Sequence, residues 1–119
     1  MLSKWYLEKA KIQFNESLNR CWQKFNKFNF SKPKIYIRQM QRRWGSLSDK
    51  GTMTININLI RAPKDCIDYV VTHELCHLKY HNHSQAFYKL VASVIHDWKK
   101  IKQKLELSLG YLFLGWVLS

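Results

Sequence analysis

Two histidines four residues apart are the feature of this sequence that most directly suggests chemistry. The run His73-Glu74-Leu75-Cys76-His77 places both imidazoles on one face of a helix, about 6 Å apart. That spacing lets both rings bind one metal ion, and zinc binds imidazole nitrogens at about 2.0–2.1 Å. Glu74 can face a water molecule at the metal without itself being a ligand. The run predicts a zinc site with Glu74 as general base.

A zinc site of this kind needs a third protein ligand, with the fourth position left for water. His81 continues the four-residue steps of the first two histidines, but three ligands in a straight row along a helix cannot surround a tetrahedral ion. His83 follows an expected helix end at Asn82 and precedes Ser84, a good N-cap, so the chain can turn it back toward the metal. We therefore predict one zinc per chain with His83 as third ligand, and surface or structural roles for His81 and His96.

The residue types fit hydrolysis. Three neutral imidazoles leave the charge of zinc uncancelled, so the ion lowers the pKa of water from about 15.7 toward roughly 7. Glu74 would take the proton of that water as it attacks a carbonyl or phosphoryl centre, and would return it to the leaving group. The residues around the motif, from Ile67 to Leu78, are mostly apolar. Burying two histidines and a carboxylate there would be costly without a metal.

The sequence predicts three helical segments, the second of which carries the motif. Residues 4–29 form the first, with Ser3 as N-cap, because their apolar residues recur mostly at three- and four-residue steps. A second helix, at about 63–80, carries the motif, and Pro63 suits its first turn. A third, amphipathic helix carries a stripe formed by Phe87, Leu90, Val91, Val94, Ile95 and Trp98.

Two alternating segments predict strands, at residues 34–38 and 52–59. Between them, Ser48 to Gly51 contain turn residues, so the simplest arrangement is an antiparallel sheet with a tight connection. The predicted fold class is α+β, with an N-terminal helix on a small antiparallel sheet, then the metal-binding helix and an amphipathic C-terminal helix.

Length and charge limit the number of domains and the kinds of partner that are expected. The 119 residues predict a single domain over 1–119. The net charge of +12 is uneven: residues 1–50 carry twelve basic and three acidic side chains. This excess favours a polyanion or nucleic acid as a partner, although solvated lysine-rich helix faces are the commoner explanation.

The cysteines and the apolar segments indicate in which cellular compartment the protein is expected. Cys21, Cys66 and Cys76 are an odd number without a CxxC pair, and the chain does not open with a signal peptide. We therefore expect a reducing cytoplasm, with Cys76 as a small buried hydrophobe. The apolar run from Leu109 to Leu118 is about half the roughly 20 residues that span a bilayer, so no transmembrane segment is expected.

Four groups of residues carry a resemblance to a known family. They are Arg43-Trp44-Gly45-Ser46, residues 54–63, residues 67–78 with the His-Glu-x-x-His run, and Asn82-His83-Ser84 before Phe87. Over about residues 5–105 the chain resembles the YgjP-like metal-dependent hydrolases, zincins related to the SprT-like and WLM metallopeptidases.

The resemblance implies a minimal zincin-like domain whose zinc ligands correspond to His73, His77 and His83, and whose general base corresponds to Glu74. In zincins an edge strand of the sheet lies along the cleft and can pair with an extended peptide, and residues 52–59 are the candidate for that role. Two departures stand out. Leu47 replaces a cysteine that relatives usually carry, and the tail from about Leu105 does not match. That apolar tail is expected to cover the core.

These observations favour a zinc-dependent metallopeptidase acting on a peptide or protein. A nucleoside triphosphate pyrophosphohydrolase at the same metal site is an alternative, since some members of the resembled family have that description and Arg42 and Arg43 could clamp an anion. A nucleic-acid-binding module on a zincin scaffold is a third possibility. It depends on the basic first helix and its interleaved aromatics Trp5, Tyr6, Trp22, Phe25 and Phe28.

Overall fold

A mixed sheet and four α-helices make up the computed structural model, which describes residues 4–108 and 117–118. The elements in chain order are α1 (Lys4–Trp22), β1 (Lys34–Arg38), β2 (Arg43–Leu47), β3 (Thr52–Asn56), a 3₁₀ helix (Ile57–Arg61), α2 (Lys64–Cys76), α3 (Gln85–Val94), α4 (Trp98–Ser108) and β4 (Val117–Leu118). The predicted α+β class is confirmed. The predicted cap Ser3 and most of the apolar tail lie outside the described residues.

The sheet has the strand order β1-β3-β2-β4 and is mixed. Strand β3 pairs parallel with β1 and antiparallel with β2, and β4 pairs parallel with β2. The predicted antiparallel sheet is therefore wrong. The residues assigned to a connection contain β2, whose adjacent Trp44 and Gly45 are both buried and so lack the alternation that marks a strand.

The predicted turn residues do form a turn, but it joins β2 to β3. Ser48 N donates to Thr52 O at 2.8 Å, and Gly51 N donates to Ser48 O at 3.0 Å. Gly51 has a φ of +80°, a left-handed conformation that favours glycine. The chain reverses direction between β1 and β2 and again between β2 and β3, so β1 and β3 run the same way and pair in parallel.

Strand β3 is shorter than predicted and occupies a different place in the sheet. The alternation that predicted a strand over 52–59 continues past Asn56, but there the backbone turns into the 3₁₀ helix. Asn56 Oδ1 accepts a hydrogen bond from Asn58 N at 3.0 Å and caps that helix. Because β3 lies between β1 and β2, it cannot be the edge strand that pairs with a substrate, and that prediction is wrong.

The buried amide of Asn56 also holds the loop before β2. Its Nδ2 donates to Met40 O at 3.1 Å and to Arg43 O at 2.8 Å. Between those two carbonyls lies Arg42, which has a φ of +62°. A single polar side chain thus fixes the end of β3, the start of the 3₁₀ helix and the entry to β2.

Helix α1 ends at Trp22, and turns replace the rest of the helix predicted over 4–29. Its buried residues follow the predicted spacing and are Ala10, Phe14, Ser17, Leu18 and Cys21. Two members of the predicted apolar pattern do not join the core, since Trp5 is 61% exposed and Ile12 is 59% exposed. On the face toward α2, Ser17 Oγ donates to Asp68 Oδ1, and Arg20 Nη2 donates to the same oxygen at 2.8 Å.

Helix α2 is the central element, in contact with α1, β2, α3 and α4. It runs from residue 64 to 76 instead of the predicted 63–80, and hydrogen-bonded turns continue from it to Tyr80. Most of its residues from Cys66 to Cys76 are buried, as the sequence predicted. None of the helices in the described part of the chain is long and apolar enough to cross a membrane.

The predicted amphipathic C-terminal helix is two helices. The backbone of Ile95 is extended, with φ −125° and ψ 96°, and this ends α3 before Trp98 begins α4. Trp98 stacks on Tyr88 of α3, with ring centroids 5.0 Å apart, and on Tyr69 of α2 at 6.4 Å. The break therefore lets Trp98 pack against two helices at once.

Candidate metal centre

Helix α2 carries the first two histidines of the site and the glutamate between them. His73 and Glu74 are buried, and His77 is half-buried at the C-cap of the helix. The helix begins after Pro63, and Asp65 lies in its first turn, where a negative charge is favourable. The ring centroids of His73 and His77 are 5.4 Å apart, as expected for a four-residue step.

The third histidine comes back toward α2 because the chain reverses after it. Tyr80 N donates to Cys76 O at 3.0 Å, which closes the turn that follows α2. Ser84 then caps α3, since its Oγ accepts a hydrogen bond from Phe87 N at 3.2 Å. His83 lies between these two fixed points.

The three imidazoles have the mutual distances of a metal-ligand set. One ring nitrogen from each of His73, His77 and His83 lies within 4.8 Å of the others. His73 Nε2 and His83 Nε2 are 3.1 Å apart. Two nitrogens bound tetrahedrally to zinc at its usual bond length are separated by about 3.3–3.4 Å, so the donors are spaced to hold such an ion.

A hydrogen bond fixes the protonation of His77. Its Nδ1 is 2.9 Å from the carbonyl oxygen of Tyr80, and a carbonyl can only accept, so Nδ1 carries the proton. In a neutral ring, Nε2 then keeps its lone pair for a metal. Histidine ligands in metal sites are commonly oriented by such a second hydrogen bond.

Phe87 is the common contact of the three rings. It is fully buried, and its ring centroid lies 4.8 Å from that of His73, 4.6 Å from His77 and 5.0 Å from His83. The sequence analysis placed Phe87 in an apolar stripe and in the family pattern, without a role at the site. Its place three residues after the N-cap Ser84 was the available signal that it would lie near His83.

Glu74 faces the sheet and is fully buried. A Cβ atom placed on Gly45 of β2 would lie 3.4 Å from Glu74 Cγ and 3.3 Å from Thr54 O. A side chain at residue 45 would therefore be tight against β3 and would reach contact with Glu74. Sequence analysis named Gly45 in the family pattern but gave it no role.

The other residues that the sequence singled out lie apart from the three rings. His81 and His96 are exposed and do not belong to the metal-ligand group found among the described residues. Cys76 is fully buried as predicted, and burial raises the pKa of its thiol to about 12. Arg42 and Arg43 are exposed beside buried Trp44.

The aromatics of the first helix and the turns after it divide into two groups. Phe25 is buried, and Trp22 and Phe28 are half-buried against the core. Trp5 and Tyr6 are exposed and pack edge to face at 5.0 Å, with Lys9 Nζ 4.9 Å from the Trp5 ring. A role for them in binding nucleic acid stays a prediction.

With this geometry in place, comparison with known proteins identifies the family. The model of the YgjP-like metallopeptidase domain matches residues 1–108. The chain belongs to the YgjP-like family. The resemblance noted in the sequence is thereby confirmed, and the family implies a divalent metal, for which this YgjP-like chain offers three histidines.

Two solved structures resemble the YgjP-like chain in fold. The metallopeptidase zymogen of Pyrococcus abyssi abylysin superposes with a TM-score of 0.70 at 22% identity, covering 78% of this chain and 91% of that one. The metallopeptidase zymogen of Methanocaldococcus jannaschii jannalysin gives a TM-score of 0.67 at 23% identity, covering 78% and 87%. Among curated proteins, no sequence matches the YgjP-like chain.

Proposed function

We propose that this chain is a zinc-dependent metallopeptidase in which His73, His77 and His83 hold one zinc ion and Glu74 is the general base. The observation that carries the proposal is the convergence of three imidazole nitrogens within 4.8 Å of one another, beside a glutamate adjacent to the first ligand. Family membership supports the reaction class, because the matching domain is described as a metallopeptidase domain.

The choice of zinc follows from the donor set. Three nitrogen donors without a carboxylate suit zinc better than calcium or magnesium, which prefer oxygen ligands. Bound zinc would supply a Lewis acid that makes water nucleophilic near neutral pH. The Nδ1 hydrogen bond of His77 would keep that ring oriented while its Nε2 binds.

Glu74 would handle the proton. It would accept a proton from the attacking water and deliver it to the nitrogen of the departing amine, so that one carboxylate serves both halves of peptide hydrolysis. The Glu74 side chain is fully buried, with Gly45 of β2 beside its Cγ. A fixed carboxylate is what such a transfer needs, because proton transfer requires hydrogen-bond distance to both partners.

The substitution Glu74→Gln tests this proposal. The amide keeps the size of the side chain and loses its basicity, so we expect peptide cleavage to fall by about 10²- to 10⁴-fold while zinc stays bound. Cleavage of a mixed peptide library would be followed by mass spectrometry, and zinc by plasma mass spectrometry on the same preparations. Glu16→Gln, at an exposed position on α1, is the matched control and should retain activity.

Two results would contradict the proposal. Equal cleavage by wild type and Glu74→Gln would mean that Glu74 is not the base. Release of pyrophosphate from nucleoside triphosphates by wild type, lost in Glu74→Gln and without any peptide cleavage, would support the pyrophosphohydrolase alternative instead.

A further inference from the structure

A cavity of about 360 Å³ adjoins the metal centre and has no part in the chemistry described above. Its lining residues are Phe30, Leu47, Ser48, Asp49, His77, Leu78 and His81. His77 belongs both to this lining and to the proposed metal-ligand set. A group bound in the cavity would therefore lie next to the bond that is cleaved, if the chain is a peptidase as proposed.

The walls of the cavity combine apolar surface with one carboxylate. Phe30, Leu47 and Leu78 supply the apolar part. Asp49 lies in the turn between β2 and β3, is exposed, and makes no hydrogen bond or ion pair with any residue that the structure describes. By contrast, Asp65 and Asp68 are paired with Lys104 and Arg20.

We propose that this cavity receives a lysine or arginine side chain of the peptide substrate, beside the scissile bond, and that Asp49 pairs with its cationic head. A basic side chain has an apolar stem and a charged end, and the walls offer partners for both. The volume lies within the range of pockets that hold small ligand groups. This inference rests on the proposed peptidase function.

The charge of the cavity wall opposes that of the whole chain. A net charge of +12 attracts acidic partners at long range, whereas Asp49 would repel an acidic side chain at the site itself. Among the residues that the structure describes, the other ionisable side chains of the lining are His77 and His81. The neighbouring lysines Lys50 and Lys79 are not among the lining residues.

The test is a comparison of cleavage preferences in the zinc-loaded full chain. Wild type, Asp49→Asn, Asp49→Lys and the control Asp97→Asn would digest the same peptide library, and the residues flanking each cleavage would be read by mass spectrometry. Two matched peptides that differ only by arginine or methionine at the preferred position would then give a ratio of kcat/KM values. Asp97 is exposed and lies outside the cavity lining.

We expect wild type and Asp97→Asn to favour a basic residue at one position beside the cleaved bond. Asp49→Asn should lower the arginine-to-methionine ratio by about fivefold, the upper range for an exposed ion pair. Asp49→Lys should shift the preference toward acidic residues. Binding of the two peptides to zinc-loaded Glu74→Gln, with and without Asp49→Asn, gives a second readout that needs no turnover.

Failure of this inference is distinguishable from failure of the proposed function. Cleavage without a basic preference, or a preference that survives both Asp49 substitutions, overturns the role of the cavity and leaves the peptidase proposal intact. If wild type cleaves no peptide and Glu74→Gln binds neither peptide, both proposals are overturned.

Discussion

Gly45 of β2 packs so closely on Glu74 of α2 that a Cβ atom at position 45 would be 3.4 Å from Glu74 Cγ. The same atom would meet Thr54 O and Ile55 Cδ1 at 3.3 Å. Because the first of these is a backbone atom, it cannot move aside alone. The backbone of β2 thus lies next to the proposed base at a residue that has no side chain.

Gly45→Val should reduce peptide cleavage strongly while zinc remains bound, because the added methyl groups displace Glu74 and leave the histidines in place. We expect Gly45→Ala to cost about 1–3 kcal/mol of unfolding free energy through overpacking. Stability would be measured by urea unfolding. The control Gly51→Ala has open space but a φ of +80°, so it should also lose stability yet keep its activity. Full activity in Gly45→Val would contradict this role of Gly45.

Metal content separates the two candidate third ligands. His83→Ala should lose the bound zinc, since two imidazoles remain where at least three protein ligands are usual. His81→Ala should keep about one ion per chain, because His81 lies outside the group of three. Plasma mass spectrometry of proteins purified with zinc supplied during folding measures both. Loss of metal in His81→Ala alone would reverse the assignment.

The buried amide of Asn56 predicts a large effect on stability. Asn56→Asp replaces a donor to two carbonyl oxygens with an oxygen that repels them, and burial of that carboxylate adds a further cost. We expect Asn56→Asp to lower the unfolding free energy by more than Asn56→Ala, for which about 1–3 kcal/mol is expected. Urea denaturation would measure both losses, provided that the m-value is the same in wild type and in both variants. A smaller loss for Asn56→Asp than for Asn56→Ala would contradict this reading.

Alkaline pH should weaken the fold through Cys66. Burial raises the pKa of this thiol from 9.0 to about 11, so between these values it ionises in the unfolded chain while staying protonated in the folded one. Its contribution to stability is complete below pH 9 and is lost as pH rises toward 11. The slope is at most about 1.4 kcal/mol per pH unit.

Comparison of wild type with Cys66→Ala isolates this effect. Both proteins would be unfolded with urea at several pH values from 8 to 10.5, under reducing conditions and without metal. As pH rises, the unfolding free energy of Cys66→Ala should fall less steeply than that of wild type. This holds even if the variant is less stable than wild type at pH 8. Parallel curves would mean that Cys66 does not ionise on unfolding in this range.

The sequence grouped the three candidate histidines as the structure does, but it did not predict the sheet. The four-residue step of His73 and His77 and the N-cap Ser84 are local features, and local geometry decides where those side chains lie. Whether His73, His77 and His83 bind zinc stays a prediction. The sequence analysis named Phe87 and Gly45 without a role at the site, because their roles depend on contacts between separate elements, which no local pattern records.

The sheet was harder to predict because its pairings are long-range. Strand β2 has two consecutive buried residues, Trp44 and Gly45, and α2 packs against it. The end of β3 depends on side-chain hydrogen bonds of Asn56 that compete with the apolar alternation beyond it. Similarly, the apolar residues from Phe87 to Trp98 keep a helical spacing in the sequence although the helix breaks between them. The packing of Trp98 on Tyr69 and Tyr88 accounts for that break.

The parallel pairing of β4 with β2 has a consequence for any peptide that would extend the sheet. Residues 117–118 pair with β2, the strand that touches Glu74, and among the described strands the opposite edge of the sheet belongs to β1. Two residues of the chain itself therefore hold the place on β2 that such a peptide would take. A peptide would gain that edge only by displacing residues 117–118.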